Sequence, residues 1–292
     1  MSGNSQKIKK MIHYYSGVFL RSFKMKNNKY MDLFISPLQE CLNYKPKFGN
    51  ASKANGYTLE DFLQLYGNDP FYSWIGLDSP YMFTAHKAAG CMTSIYRQIG
   101  IGCERLFREI LFDTTQYTDY SLTQWSYITK TQAGKEKILT LDGRLELSDI
   151  NNFDVKKRVE EWIELNCNHL GIDNTGLNGA VFEVRQGYKS KDSKRQNADI
   201  DNATVAYAHH YLPVFSVFSS QIDADIVLRY RNSRCCVLIG NLNKDSCISL
   251  FSFCKEILGY DLADFFKSNS IFIREKVRSI LEQLLRVDDA QT

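Results

Sequence analysis

Glu183 stands in an apolar, β-branched run and is followed within a few residues by Arg185, Lys189, Lys191, Lys194 and Arg195. Seven charged or amide side chains lie between Glu183 and Gln196, with no acidic run to offset them. A carboxylate on a strand, cations beyond its end and a helix start just after are the groups that hold a phosphate and a divalent cation. The alternative is a buried βαβ unit whose charges are solvated at a sheet edge.

The elements that must position these groups follow from local pattern. Phe182 and Val184 alternate with Glu183 and Arg185, which predicts a strand with one buried face and one charged face. Gly187 loosens it. A helix is expected next, capped by Asp192 or Ser193, with Ala198, Val205, Ala206 and Ala208 as its apolar stripe. Pro213 is expected to end that helix, and Val214, Phe215, Val217 and Phe218 to restart a strand. Strand, helix, strand in this order implies a right-handed crossover between parallel neighbours.

The run EVRQGYKSKDSKRQN, Glu183 to Asn197, resembles the core of type II restriction endonucleases of the PD-(D/E)xK superfamily. The likeness is strongest over residues 179–231 and extends across 90–290. It implies a mixed α/β fold, a central sheet flanked by helices, in a catalytic domain at 86–292. Residues 1–85 are expected to form a largely helical region and a possible DNA-contacting arm. It also implies Mg²⁺-dependent, sequence-specific double-strand cutting of DNA by phosphodiester hydrolysis, by a homodimer whose symmetry matches a palindromic site. A cognate DNA methyltransferase is the implied genetic partner. A non-cleaving DNA-binding module and a repair or recombination nuclease of the same fold are the alternatives.

Glu183 matches the acid of the family motif, but Arg185 stands where the family has Lys. Lys189 and Lys191 compete with Arg185 for the cation's role, since both share Glu183's face if the strand runs on. An Arg there acts only electrostatically, because it does not give up a proton at working pH. For the second metal carboxylate Asp173 is placed ahead of Asp142, as its nine intervening residues let the chain fold it beside Glu183. Glu104, on the preceding helix, would complete the metal site in this family; its alternative is a surface pairing with Arg105 or Arg108. Ser190, Lys194, Arg195, Gln196 and Asn197 are the candidate DNA contacts, Arg suiting guanine edges and Gln or Asn adenine.

The rest of the chain fits a large globular protein. Its 292 residues carry a formal charge of +3, too small to signal a nucleic-acid partner. The charges are unevenly spread: Lys7, Lys9, Lys10, Arg21, Lys24, Lys26 and Lys29 all precede the first acid, Asp32. The eight cysteines show no CxxC pair or zinc spacing, so reduced thiols in a cytoplasm are expected. No run reaches the roughly 18 apolar residues of a membrane helix. Helices are expected at 31–42, 58–66, 86–112 (one kinked or two), 149–169 and 271–287, the last or the 221–231 segment offering a dimer interface. A hairpin is expected at 138–147 around Asp142 and Gly143, with strands at 226–230 and 235–239. The aromatics of 72–83 are expected to pack beneath a loop, and His209 and His210 to split between exposed and packed. No Walker A loop, GxSxG elbow or HExxH is present.

Overall fold

The computed structural model describes residues 26–48, 55–130, 134–173, 176–188 and 193–285. The architecture is a mixed sheet flanked by helices, with strand order β3-β4-β5-β6. Here β3 is Gly143–Glu146, β4 Gly179–Arg185, β5 Tyr211–Val217 and β6 Cys236–Ile239. β3 is antiparallel to β4, while β4, β5 and β6 are mutually parallel. A separate antiparallel ribbon, β1 (Trp125–Lys130) and β2 (Glu136–Leu141), leads into β3.

The expected hairpin at Asp142 and Gly143 is not formed. β2 pairs with β1 and β3 with β4, so the chain runs on through Asp142 and changes partner there. Gly143 is needed for close approach, not for a turn: a Cβ on it would stand 3.1 Å from Leu111 Cδ1 and 3.2 Å from Phe182 Cβ.

Helix α1 (residues 26–39) lies along α4 (Pro80–Thr115), whose 36 residues run unbroken through Gly100 and Gly102. Gly102 lets the α1 backbone approach, since a Cβ there would come within 2.4 Å of the Phe34 carbonyl oxygen. Leu106, Phe107, Ile110 and Leu111 of α4 pack with Phe182, Trp162 of α5 (Phe153–Leu170) and Phe253 in one large core. The boundary expected at 85/86 therefore falls inside α4, and α1 belongs to the main core. A small satellite core of Phe48, Tyr57 and Phe62 holds α2 (Leu59–Gly67) against Met82 and Phe83 of α4, and α3 (Pro70–Trp74) stacks Tyr72 on Tyr66 of α2.

On the other face, α6 (Ser193–Ala208) covers β4 and β5, so the charged face of β4 is enclosed rather than open. Asp192, a candidate cap of α6, lies outside the described residues. α6 ends without Pro213: His210 takes a left-handed φ of 63°, and Pro213 sits within β5 just before β6 begins pairing at Val214. His209 and His210 are both exposed. Residues 226–230 are helical, not a strand, in α7 (Ala224–Asn232), because the Asp223 carboxylate caps the Asp225 N–H. The chain closes with α8 (Leu250–Ser252, continuing as a π turn over Phe253–Leu258), α9 (Leu262–Ser268) and α10 (Ser270–Leu285). Ile280 and Leu284 of α10 are buried in the main core, with Val277 and Leu281 partly buried against it.

Candidate active site

Asp142 sits where β3 stops tracking β4. Its N–H donates to the Phe182 carbonyl at 2.9 Å, and its Oδ2 accepts from the Val184 N–H at 2.8 Å. The side chain thus takes the ladder position that the departing backbone leaves. Glu183 lies between those two β4 residues, with its side chain on the α6 face and 21% exposed. The Glu183 charge acts on Asp142, and both carboxyls titrate well above the usual range. Burial first, then Glu183 and Glu104, push Asp142 up to about 8. Burial first, then Asp199 and Glu104, push Glu183 up to about 7, with Arg185 opposing. Two acids desolvated side by side call for a cation.

Glu104 approaches from α4. It pairs with Arg108 one turn on, and Arg108 Nε donates to the Asp142 carbonyl at 3.0 Å. Glu104 is thus paired on its own helix, as its alternative reading expects, and its charge also reaches the two acids. Asp173 is not brought to Glu183. It follows the Gly171 cap of α5 at the opposite end of β4, beside Cys167, and Gly179 to Glu183 alone spans about 13 Å of strand. Asp142 takes the place expected of Asp173.

Arg185 is buried beside Glu183. Its Nη2 lies 3.0 Å from Glu183 Oε1 and 2.5 Å from Asp199 Oδ1, and its Nε is buried with no acceptor among the described residues. Asp199, on α6, was not among the expected site residues. Lys189, Ser190 and Lys191 lie outside the described residues. Lys194 and Arg195 are exposed on the first turn of α6. Gln196 is buried, so it cannot reach a base edge as placed: Arg229 of α7 donates to Gln196 Oε1 at 2.7 Å and to Asn197 Oδ1 at 2.6 Å.

Among the described residues no three His, Cys, Asp or Glu side chains gather as a ready cage for a metal ion. Asp142 and Glu183 offer carboxylate oxygens of the kind Mg²⁺ takes, an ion that keeps several waters and needs only one or two carboxylates. All eight cysteines are buried and free, so they offer no thiolate site. No helix among the described residues is long and apolar enough to cross a membrane. Comparison with known proteins gives no match, whether to a family model, a curated protein or a solved structure.

Proposed function

We propose that this chain is a Mg²⁺-dependent endonuclease of the type II restriction class, cutting duplex DNA by phosphodiester hydrolysis, with a restriction-endonuclease-like core. The observation that carries the reading is the pair of buried acids, Asp142 at the junction of β2 and β3 and Glu183 on β4, with Glu104 and Arg185 beside it. The order of elements supports it too: a helix carrying an acid, a strand ending at an acid, the Glu183 strand, a covering helix and a parallel strand.

Asp142 and Glu183 would hold the ion, which when bound supplies Lewis acidity and an activated water. Glu104 adds negative charge from α4 and is kept in place by Arg108. Arg185 presents a fixed positive charge beside the acids. Lys194 and Arg195, exposed on α6, supply phosphate contacts. Palindromic recognition by a homodimer and a cognate methyltransferase belong to this same reading. A DNA-contacting role does not extend to residues 57–81, where Glu60, Asp61, Asp69 and Asp78 stand with no Lys or Arg.

A second reading, a DNA-binding module that does not cleave, draws on one observation: Arg185 is already engaged by Glu183 and Asp199. Incubating plasmid with the protein, with and without Mg²⁺, separates the two. Discrete metal-dependent fragments support the nuclease, and a retarded, uncut plasmid supports the binder. Smears or structure-dependent cuts point to a repair or recombination nuclease.

A further inference from the structure

Arg185 lies between two carboxylates that are held in unlike ways. Asp199 is 3% exposed, and both its oxygens are engaged. Oδ1 takes the Arg185 Nη2 at 2.5 Å, and Oδ2 accepts from the Tyr230 hydroxyl at 2.6 Å and the Tyr188 hydroxyl at 3.3 Å. The two hydroxyls are themselves 2.7 Å apart, and the Tyr230 ring stacks on Phe215 of β5 at 4.3 Å. Three elements, α6, α7 and the end of β4, thus fix Asp199 in one position. Glu183 has the looser setting. Its side chain is 21% exposed against 5% for Asp199, and among the described residues its ion-pair partner is Arg185 at 3.0 Å.

A divalent cation that binds Glu183 must compete with the guanidinium already there. We propose that Asp199 is a positioning residue that decides this competition. It retains Arg185 when Glu183 turns to the cation, so the guanidinium stays beside the site instead of blocking it. Asp199 itself stays clear of the ion, because its oxygens are taken by Arg185 and the two tyrosines. Arg185, anchored through Nη2, keeps its positive charge beside the site. A buried ion pair gives little net stability and serves placement better than strength.

This role rests on the metal-dependent reading above, and it is tested with Ca²⁺ binding to the full-length protein without DNA, followed by calorimetry. Asp199→Asn frees Arg185 to close on Glu183 and is expected to weaken Ca²⁺ binding by about 10-fold or more, the scale of lost supporting contacts around metal ligands. Adding Arg185→Met removes the competitor, and the double variant should return to within about threefold of wild type. Because losing both members of a buried pair also relieves a fold defect, the comparison is made on an Asp199→Asn protein whose melting midpoint matches wild type, so that weakened Ca²⁺ binding reads the position of Arg185 and not unfolding. Tyr230→Phe, which keeps the ring on Phe215 and removes one hydroxyl, should weaken binding about two- to fivefold. It decides the matter if Asp199→Asn does not fold, and unchanged affinity in it would then overturn the role. A folded Asp199→Asn protein that binds as wild type, or a double variant that fails to recover, also overturns the role and leaves the metal-dependent reading standing. A wild-type protein with no saturable Ca²⁺ binding removes that reading and this role together.

Discussion

Asp142→Asn should make the protein more stable and inactive at once. The amide keeps an oxygen for the Val184 N–H, now 2.8 Å from Oδ2, and removes one charge from the desolvated pair. In the folded state the Asp142 carboxyl is raised from 3.8 to about 8, so the native protein binds that proton more tightly than the unfolded chain does. Below about pH 4 both states are protonated and the substitution changes nothing. As pH rises from about 4 to about 8 the unfolded chain ionises freely while the native site resists, and wild-type stability falls across that window. Each unit is worth about 1.4 kcal/mol, which sets a ceiling of about 6 kcal/mol. The realised gain is smaller, because Asp142 and Glu183 share the same titration and solvent reaches the half-buried pair. We expect about 2 kcal/mol at pH 8.5, or a Tm higher by roughly 4–8 °C. Melting curves in chelator from pH 4.5 to 9 measure it, with the gain growing with pH. Mg²⁺ at about ten times its Kd should stabilise wild type by roughly 1.4 kcal/mol and the variant hardly at all. An Asn variant that is less stable at pH 8.5, or a gain that does not vary with pH, would refute the claim that Asp142 is a strained ligand and leave it a backbone acceptor only.

Glu183→Gln should abolish Mg²⁺-dependent cutting, by about 10³-fold or more, while gel-shift affinity for DNA stays within about twofold; undiminished cleavage removes Glu183 from the site. Because both acids titrate high, Mg²⁺ binding should release protons and strengthen as pH rises from about 6 to about 8, which calorimetry in buffers of different ionisation enthalpy reads directly. Asp173→Asn, at the far end of β4, should leave metal binding unchanged. Gly102→Ala forces a Cβ to within 2.4 Å of the Phe34 carbonyl oxygen and should cost about 2–3 kcal/mol, seen as a lower midpoint in urea. Trp74 and Tyr81, 81% and 88% exposed on the acidic lobe, should be replaceable by Ala without loss of DNA affinity.

Glu183 was legible because an acid inside an apolar, alternating run is out of place unless it has work to do or a partner. The βαβ order around it was legible from the same alternation. Asp142 was ranked too low because Asp-Gly signals a tight turn. The sequence holds a counter-signal: a two-residue hairpin there would put Leu139 and Leu141 on one face with Arg144 and Glu146. Instead the chain bends at Asp142: Leu139 and Leu141 pack with Val181 and Ala206 on the α6 side, while Gly143 and Leu145 face the main core. Asp199 was missed because α6 has no strong apolar stripe; its buried face is Gln196, Asp199, Ala203 and Ala206, spaced by three and four. Tyr230 was missed with it, since reading 226–230 as a strand hid the Asp223 cap that makes α7. The exposed aromatics of α3 and the start of α4 went the same way, as composition does not say which side of a short helix faces solvent.

The strand exchange at Asp142 also explains why the acids meet at this point of the sheet and nowhere else along it. Where β3 pairs with β4, every β4 amide facing it has a backbone acceptor, and two facing carboxylates would be an unrelieved cost. At Val184 the backbone acceptor is missing because β2 has turned to β1, and the Asp142 side chain can fill the vacancy without breaking a ladder bond. Once there, its second oxygen is set beside the next outward side chain of β4 on the α6 face, which is Glu183. Leu111 and Phe107 press on Gly143 from α4, and the same helix carries Glu104 and Arg108 over the junction one turn earlier. One kink therefore supplies the opening, the first acid and the approach of the third, and the glycine that permits it has no room for a side chain.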